Sequence, residues 1–502
     1  MKSLWKQTAP EPKPRASLSG PMEVDVAIIG GGLAGILTAY LLGRRGVNCA
    51  VFEANRVGGG QTQGSTGKVT SQHGLIYGQL VERFGVEKAR QYALSNQQAV
   101  EQYRTIVGEL GIQCGFSRQD AYLYSRNDAQ ALLDEAKTAA ALGLPASFVE
   151  DLPLPFSVAG AVRFTNQAQM DPLAFLYGVS SNLRVYEHSP VTRVEGNVLT
   201  VNGYPVHGDR IVFACHYPFV NVPGYYFLRM HQSRSYSLAL AHTPPISGMF
   251  FGVDSDGLSI RTYRDILILC GMNHRTGENS AGGRYDDLRK MARELFPSCR
   301  EIAHWSAQDC MTPDNVPYIG PYCASEPDWL VATGFNKWGV TGSMAAAMLL
   351  CDHITGRKNP NAEVYSPQRF NLPTLTGVLS NGGQAVKGLS RQTLAIPQET
   401  LDALPMGHGG VLLVEGEKVG VYKDMQGQTY LVDTRCPHLG CQVEWNPDEK
   451  SWDCPCHGSR FDYRGALIDN PAQTALTLPG STLPGQLAQQ ADSHETFHDM
   501  LS

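Results

Sequence analysis

The chain has 502 residues, of which 42% are hydrophobic and 18% charged, with a formal net charge of −6; a chain this long predicts two or three domains. No basic stripe with interleaved aromatics is present, which argues against nucleic acid as a partner, and no apolar run approaches the ~18 residues of a membrane span. The first twenty residues are basic and proline-rich, without the apolar stretch of a signal peptide or a twin-arginine pair, so the expected location is cytoplasmic.

After an N-terminal tail (1–20), "VDVAII" (24–29) predicts a buried parallel strand, "LAGILTAYLLGRRG" (33–46) the helix that follows, and "VNCAVFE" (47–53) a second strand. Together they make a β–α–β unit. Residues 77–110 carry apolar positions at helical spacing, and 116–300 mix short strands and helices as interleaved domains do. "WLVATGF" (329–335) predicts a strand leading into the helix "TGSMAAAMLLCDHIT" (341–355). Residues 359–405, punctuated by Pro and Gly, predict a linker. From 406 to 483, short strands separated by Gly, Asp and Pro predict a small all-β unit, and 484–502 a polar tail.

"GGGLAG" places Gly30, Gly32 and Gly35 in G-x-G-x-x-G spacing between strand and helix. The first glycine permits the tight turn, the second lets backbone approach a pyrophosphate, and the third packs helix on strand. Glu53 ends the next strand, 21 residues after Gly32, where a carboxylate accepts from a ribose hydroxyl. The motif alone does not separate FAD from NAD. The absence of a second glycine fingerprint and the long Gly/Ser/Thr-rich stretch 56–74, suited to wrapping a flavin, favour FAD. With "SPVTRVEG" (189–196), "DRIVFACHYPF" (209–219), "TPDNVPYIGPY" (312–322) and "VATGFNKWGVTGSMAAA" (331–347), the chain resembles FAD-dependent oxidoreductases of the D-amino-acid oxidase/glycine oxidase type.

That resemblance implies an α/β FAD-binding Rossmann-type domain with an α+β substrate domain over residues 21–358. The FAD-binding segments would be about 21–100, 159–220 and 305–358, and the substrate domain about 101–158 and 221–304. It puts Gly334, Phe335, Trp338 and Gly339 beside the flavin, and the backbone around Val191 beside the adenine. One departure stands out. Where amino-acid oxidases of this type tend to carry an Arg three residues before T-P-D, this chain has Asp309. An anion there repels a carboxylate and attracts a cation, which points toward an amine or neutral substrate; a turn-capping role is the alternative. Asp309, His73 and Lys337 are the catalytic candidates, with His304 and Arg261 further polar residues near a substrate.

Four of the twelve cysteines fall between 436 and 456, in "CPHLGC" and "DCPCHGSRF". Cysteines and histidines so spaced suit structural zinc, a disulfide or an iron–sulfur centre. Zinc needs four ligands and six are present, whereas a Rieske [2Fe–2S] centre takes two thiolates on one iron and two imidazoles on the other. The pattern C-x-H-x-x-C, a 12-residue gap, then C-x-C-H resembles the Rieske domains of the cytochrome bc type. The resemblance implies an all-β Rieske domain with Cys436, His438, Cys454 and His457 as ligands and a disulfide between Cys441 and Cys456. It also implies a cluster-tuning hydroxyl at Ser459, and a cover from "NPA" (470–472) resembling the proline loop. Phe461 stands where high-potential members have a Tyr donor, which predicts a potential below the top of the roughly −150 to +300 mV window. With only 45 residues after His457, a downstream mononuclear-iron domain of the oxygenase kind is not expected.

The combined expectation is a dehydrogenase that oxidises a small amine-type substrate at FAD. Electrons would pass singly through the cluster to a quinone, cytochrome or iron–sulfur protein, leaving by exposed edges of His438 and His457. The competing readings are a non-catalytic redox sensor or electron carrier, and reverse flow in which the cluster feeds the flavin to reduce a substrate.

Overall fold

The computed structural model describes residues 2–369, 404–414 and 417–479. Most of the expected linker (359–405) and all of the expected polar tail (484–502) lie outside the described residues. The chain divides into two compact units. One comprises Met1–Met230, Arg234–Asn273 and Arg284–Thr376, and the other His231–Ser233, His274–Gly283 and Gly377–Ser502.

The larger unit opens with a short helix, α1 (Trp5–Thr8), then β1 (Met22–Ile29), α2 (Leu33–Gly43), β2 (Cys49–Phe52), β3 (Lys68–Val69) and the long α3 (Tyr77–Leu110). There follow β4 (Ser117–Ser125), α4 (Ala129–Ala141), β5 (Ala146–Val149), β6 (Gly160–Gln169), α5 (Pro172–Ser180), β7 (Val185–Tyr186), β8 (Val191–Glu195), β9 (Val198–Val201) and β10 (Tyr204–Phe213). Next come α6 (Tyr226–Arg229), β11 (His231–Ala241), β12 (Met249–Gly252), β13 (Ser259–Tyr263), β14 (Ile266–Arg275), α7 (Arg284–Leu295) and β15 (Arg300–Met311), the start of β11 and the end of β14 belonging to the smaller unit. The run ends with β16 (Tyr318–Pro321), β17 (Trp329–Thr333) and α8 (Gly339–Ile354).

The first sheet has the order β16-β17-β10-β1-β2-β7, with the β8–β9 hairpin attached to β10. Its centre, β17-β10-β1-β2-β7, is parallel. The apolar run of β1 follows from burial on both faces. Val26 and Ile28 join a core with Ile36, Leu37, Met344 and Leu350 of α2 and α8, while Ala27 and Ile29 join one with Leu199, Tyr217 and Tyr322. The second sheet runs β15-β11-β14-β13-β12-β4-β6-β3, with β5 on β6.

Two local expectations change. Several strands between 116 and 300 are long rather than short, β11 having 11 residues and β15 12, because polar residues alternating along "HQSRSYSLALA" interrupt the apolar signal without ending the strand. The segment expected as an N-terminal tail also packs onto this unit: Leu4 and Trp5 are 1% and 0% exposed, in a cluster with Leu173, Tyr263 and Trp305.

In the smaller unit β18 (Gly409–Val414), β19 (Glu417–Lys423) and β20 (Thr429–Asp433) form one antiparallel sheet. A second contains β21 (Glu444–Asn446), β22 (Ser451–Asp453), β23 (Arg460–Asp462) and β24 (Leu467–Asp469). A core of Tyr422, Val432, Trp445, Trp452 and Phe461 lies between the elements and reaches Cys436 and Cys454.

Candidate functional site

In the larger unit the glycine-rich turn sits at the C-terminal end of β1, where ligands of open parallel sheets bind. Gly30 has φ +108° and a Cβ there would come 2.6 Å from the Ala214 carbonyl oxygen; one on Gly35 would collide with the Gly30 carbonyl. Gly32 caps α2, and a Cβ on it would meet only Thr62 Oγ1, at 3.4 Å, so the helix N-terminus keeps the room a diphosphate needs. Glu53 Oε2 accepts from Gly31 N–H at 2.7 Å and Oε1 from Asn55 N–H at 2.8 Å. Burial raises its carboxyl above the usual range, and these N–H donors pull the other way. The Glu53 carbonyl accepts from Ser189 N–H at 2.8 Å, two residues before the buried Val191, so the stretch expected beside adenine lies beside the acid expected on the ribose.

The segments expected beside the flavin also meet. The His73 ring stacks on Trp338 with centroids 4.8 Å apart, and Thr70 N–H donates to Thr341 Oγ1 at 2.9 Å, tying the 56–74 stretch to the start of α8. Gly334 has φ +69° and a Cβ there would strike Thr312; Phe335 packs where a Cβ on Gly342 would stand, and Gly339 begins α8. Buried Asn336, between them, accepts from Thr312 N–H at 2.9 Å. The cradle therefore fits FAD.

Both His73 nitrogens are engaged inside the protein, Nδ1 with Tyr92 Oη at 2.7 Å and Nε2 with the Thr70 carbonyl at 2.8 Å. Burial pushes its pKa down to about 3, so the ring is neutral and serves to position the loop. Asp309 pairs with Lys337 at 2.9 Å, and Lys337 also donates to Asn273 at 3.2 Å. The anion from which a cationic substrate was expected therefore already has a countercharge. His304 pairs with Glu301 at 2.7 Å. Fully buried Arg261 donates to the Thr66 carbonyl at 2.6 Å and Gln169 Oε1 at 2.8 Å, holding the same 56–74 stretch.

Sequence reasoning passed over Lys68, which donates to the Phe250 carbonyl at 2.7 Å and to Ser259 Oγ, and which burial pushes down to about 7. It also passed over Glu187, whose carboxylate binds three backbone and side-chain donors. A lysine inside a Gly/Ser/Thr stretch was a signal for the first; nothing local marked the second. A separate cleft of about 700 Å³, lined by Asp25, Asp209, Glu326 and Trp329, lies toward the opposite, N-terminal end of β1 from the glycine turn.

In the smaller unit Cys436, His438 and Cys441 follow β20, and Cys454, Cys456 and His457 lie between β22 and β23. Cys441 and Cys456 are joined in a disulfide, while Cys436 and Cys454 are free and buried. Cys441, Cys454 and Cys456 lie close enough to share an ion, but two of those sulfurs are bonded to each other, so the trio is not a ligand set. The donors left are two thiols in mutual contact and two imidazoles with centroids 4.8 Å apart. Two sulfurs and two ring nitrogens match the donor chemistry of a Rieske [2Fe–2S] centre. Ser459 Oγ accepts from Ala472 N–H at 3.0 Å, which links "NPA" to the ligand loop, and its hydroxyl hydrogen-bonds the Cys436 sulfur. Phe461 is fully buried opposite Trp452.

One expectation is corrected. His457 does not have an exposed edge: it is 4% exposed, because within this unit Gln232 donates to its carbonyl at 3.0 Å and packs against Gly458. His438 is half-buried. Below the ligand loop, buried Arg460 binds Glu449, Asp453 and Asp469 at 2.6, 3.0 and 3.0 Å.

Residues 25–353 match the DAO family, FAD dependent oxidoreductase, and residues 398–482 match the Rieske [2Fe-2S] domain. Over 490 residues the chain is 36% identical to the Rieske 2Fe-2S iron–sulfur protein YhfW of Bacillus subtilis (strain 168), covering 94% of this chain and 96% of that protein. It is 38% identical over 114 residues to the chloroplastic cytochrome b6-f complex iron-sulfur subunit of Arabidopsis thaliana, covering 22% of this chain and 48% of that one. Among solved structures, glycine oxidase from Geobacillus kaustophilus superposes with a TM-score of 0.59 at 19% identity, covering 70% of this chain and 99% of that one. L-proline dehydrogenase from P. horikoshii gives 0.57 at 17% identity, covering 70% and 98%.

Proposed function

The chain belongs to the DAO family of FAD-dependent oxidoreductases and carries a C-terminal Rieske [2Fe–2S] domain, and from that premise we propose that it is a dehydrogenase for a small amine-type substrate. The observation that carries this reading is the presence in one chain of a dinucleotide cradle and a two-cysteine, two-histidine donor set. When bound, FAD would accept a hydride from the C–H beside the substrate nitrogen, the N–H proton leaving as C=N forms, and a [2Fe–2S] centre would pass electrons on one at a time.

The protein's share is positioning. Gly30, Gly32 and Gly35 would let backbone approach the diphosphate, and Glu53 would hold the ribose. Val191 would face the adenine, and Gly334, Phe335, Trp338 and Gly339 the flavin. Cys436, His438, Cys454 and His457 would hold the cluster. The Asp309–Lys337 pair leaves the site open to amines and amino acids alike, since neither charge stands alone. A CH–NH or CH–NH₂ donor is supported by the fold shared with the proteins named glycine oxidase and L-proline dehydrogenase. An external acceptor is supported by the b6-f-like character of the C-terminal domain; half-buried His438 rather than His457 would face it.

Anaerobic mixing with a panel of amines and amino acids tests this reading. The expected result is bleaching of the flavin followed by the EPR signal of a reduced Rieske cluster. Bleaching with no cluster signal would refute the intramolecular route, and no bleaching by any member would favour an electron carrier.

A further inference from the structure

The N-terminal segment expected to be a tail runs from Leu4 to Leu18 across both stretches assigned to FAD. At its start the Trp5 indole N–H donates to the Ser65 carbonyl at 2.6 Å, its ring stands edge-on to Tyr263 at 5.2 Å, and Arg261 lies over it at 5.3 Å. Thr8 Oγ1 then donates to Asp171 Oδ2 at 2.6 Å, on the carboxylate that caps α5. Midway, Arg56 donates to the Pro12 carbonyl at 2.8 Å and pairs with Glu11 at 3.5 Å. At the far end Arg15 N–H donates to Glu187 Oε2 at 2.8 Å, and its guanidinium reaches the carbonyls of Ser180 and Leu183 at 2.6 and 3.2 Å. Leu18 N–H donates to Ser189 Oγ at 2.9 Å.

Glu187 is the knot. The same carboxylate accepts from Val57 N–H at 2.8 Å and pairs with Arg56 at 2.9 Å, so one buried group joins the segment, the 56–74 stretch and the strand leading to Val191. Ser65, Arg56 and Val57 lie on the stretch expected to wrap the flavin, and Ser189 adjoins the adenine side. None of the segment's contacts requires it to touch the cofactor.

We propose that residues Leu4–Leu18 are a strap that holds the 56–74 stretch shut over FAD, with Trp5 and Arg15 as positioning residues for cofactor retention. Deep anchoring by an indole at one end and a guanidinium at the other gives the strap two attachments, and loss of either lets the covered stretch open.

The inference is tested on the full-length holoprotein with Trp5→Ala and Arg15→Ala, alongside the conservative Trp5→Phe and Arg15→Lys. FAD dissociation constants come from flavin fluorescence on dilution, and thermal midpoints are read with and without added FAD. The alanine variants are expected to bind FAD at least tenfold more weakly, the conservative ones to recover most of that loss, and the Rieske EPR signal per chain to stay unchanged. A role in packing alone would lower the midpoints with and without FAD together; the strap narrows the gap between them, because the stabilisation a ligand confers follows its affinity. FAD affinity within twofold of the parent in Arg15→Ala, the more exposed and more easily folded variant, would overturn the proposal even if Trp5→Ala fails to fold. Binding of FAD does not depend on which substrate is oxidised, so this outcome is separate from that of the amine panel.

Discussion

Glu187 shows how much one carboxylate settles in this fold. Burial alone would raise its pKa, but the Arg15 and Val57 N–H groups and the Arg56 guanidinium outweigh burial and hold the carboxyl below the usual range. A depressed acid stabilises the folded state above its unfolded pKa, near ~4.3, and that contribution is lost as pH falls through the lower folded value. Glu187→Gln should therefore cost on the order of 2 kcal/mol at neutral pH, and the difference from the parent should start to shrink as pH falls below about 4.3 and vanish only below the lower folded value; the temperature of flavin release, read by fluorescence across pH, measures both. Ser459 is the corresponding residue of the smaller unit. Ser459→Ala removes a donor to the Cys436 sulfur worth on the order of 1 kcal/mol, which for a one-electron couple lowers the midpoint potential by roughly 40 mV. Protein-film voltammetry reads that shift directly, and an unchanged potential would remove Ser459 from the tuning set.

At the scale of elements, the loop carrying Cys454 and His457 rests on β22 and β23, and those strands rest on Arg460. One buried guanidinium meets three carboxylates, from Glu449, Asp453 and Asp469. Arg460→Met leaves them facing one another without a countercharge and should cost about 3–5 kcal/mol; urea denaturation followed by the cluster's visible absorbance gives the number. The same contrast explains what was legible in the sequence. The glycine turn and the cysteine–histidine donors could be read because each motif's spacing encodes a local geometry: three glycines where one turn needs them, four donors on two loops. The partners of Arg460 were not legible, because ordinary acids on a polar surface look the same. Trp5, Arg15 and Glu187 were less so still, since 172 positions separate Arg15 from Glu187 and Trp5 packs on Tyr263 from farther away still. His73 could be read as near the flavin stretch but not as engaged, because that depends on Tyr92, which comes from α3. The β11 and β15 strands were underestimated for a different reason: a sheet that tolerates polar residues along a strand hides its length from any apolar-run rule.

For the whole molecule, the two cofactors set an electron count. FAD stores two electrons and a [2Fe–2S] centre one, so complete anaerobic reduction should take three electron equivalents per chain. Cys454→Ser, which removes a cluster ligand, should take two while keeping its flavin spectrum. A reductive titration counts them. A parent value of two would mean that one centre is missing or redox-silent, and the proposed route through the molecule would fail with it.

The strap also has a consequence in time. Leu18 must wait for Ser189, 171 positions later, before it has anything to grip. At roughly 5–20 residues per second, a ribosome takes about 10–30 s to make that stretch. During this interval the 56–74 segment is held from the N-terminal side only by Trp5 on Ser65 and Arg56 on Pro12, so the Leu18 end closes late and flavin that arrives before it closes meets a strap fastened at one end only. Cells short of riboflavin during synthesis would accumulate strapped, flavin-empty protein that later supplementation fills only slowly.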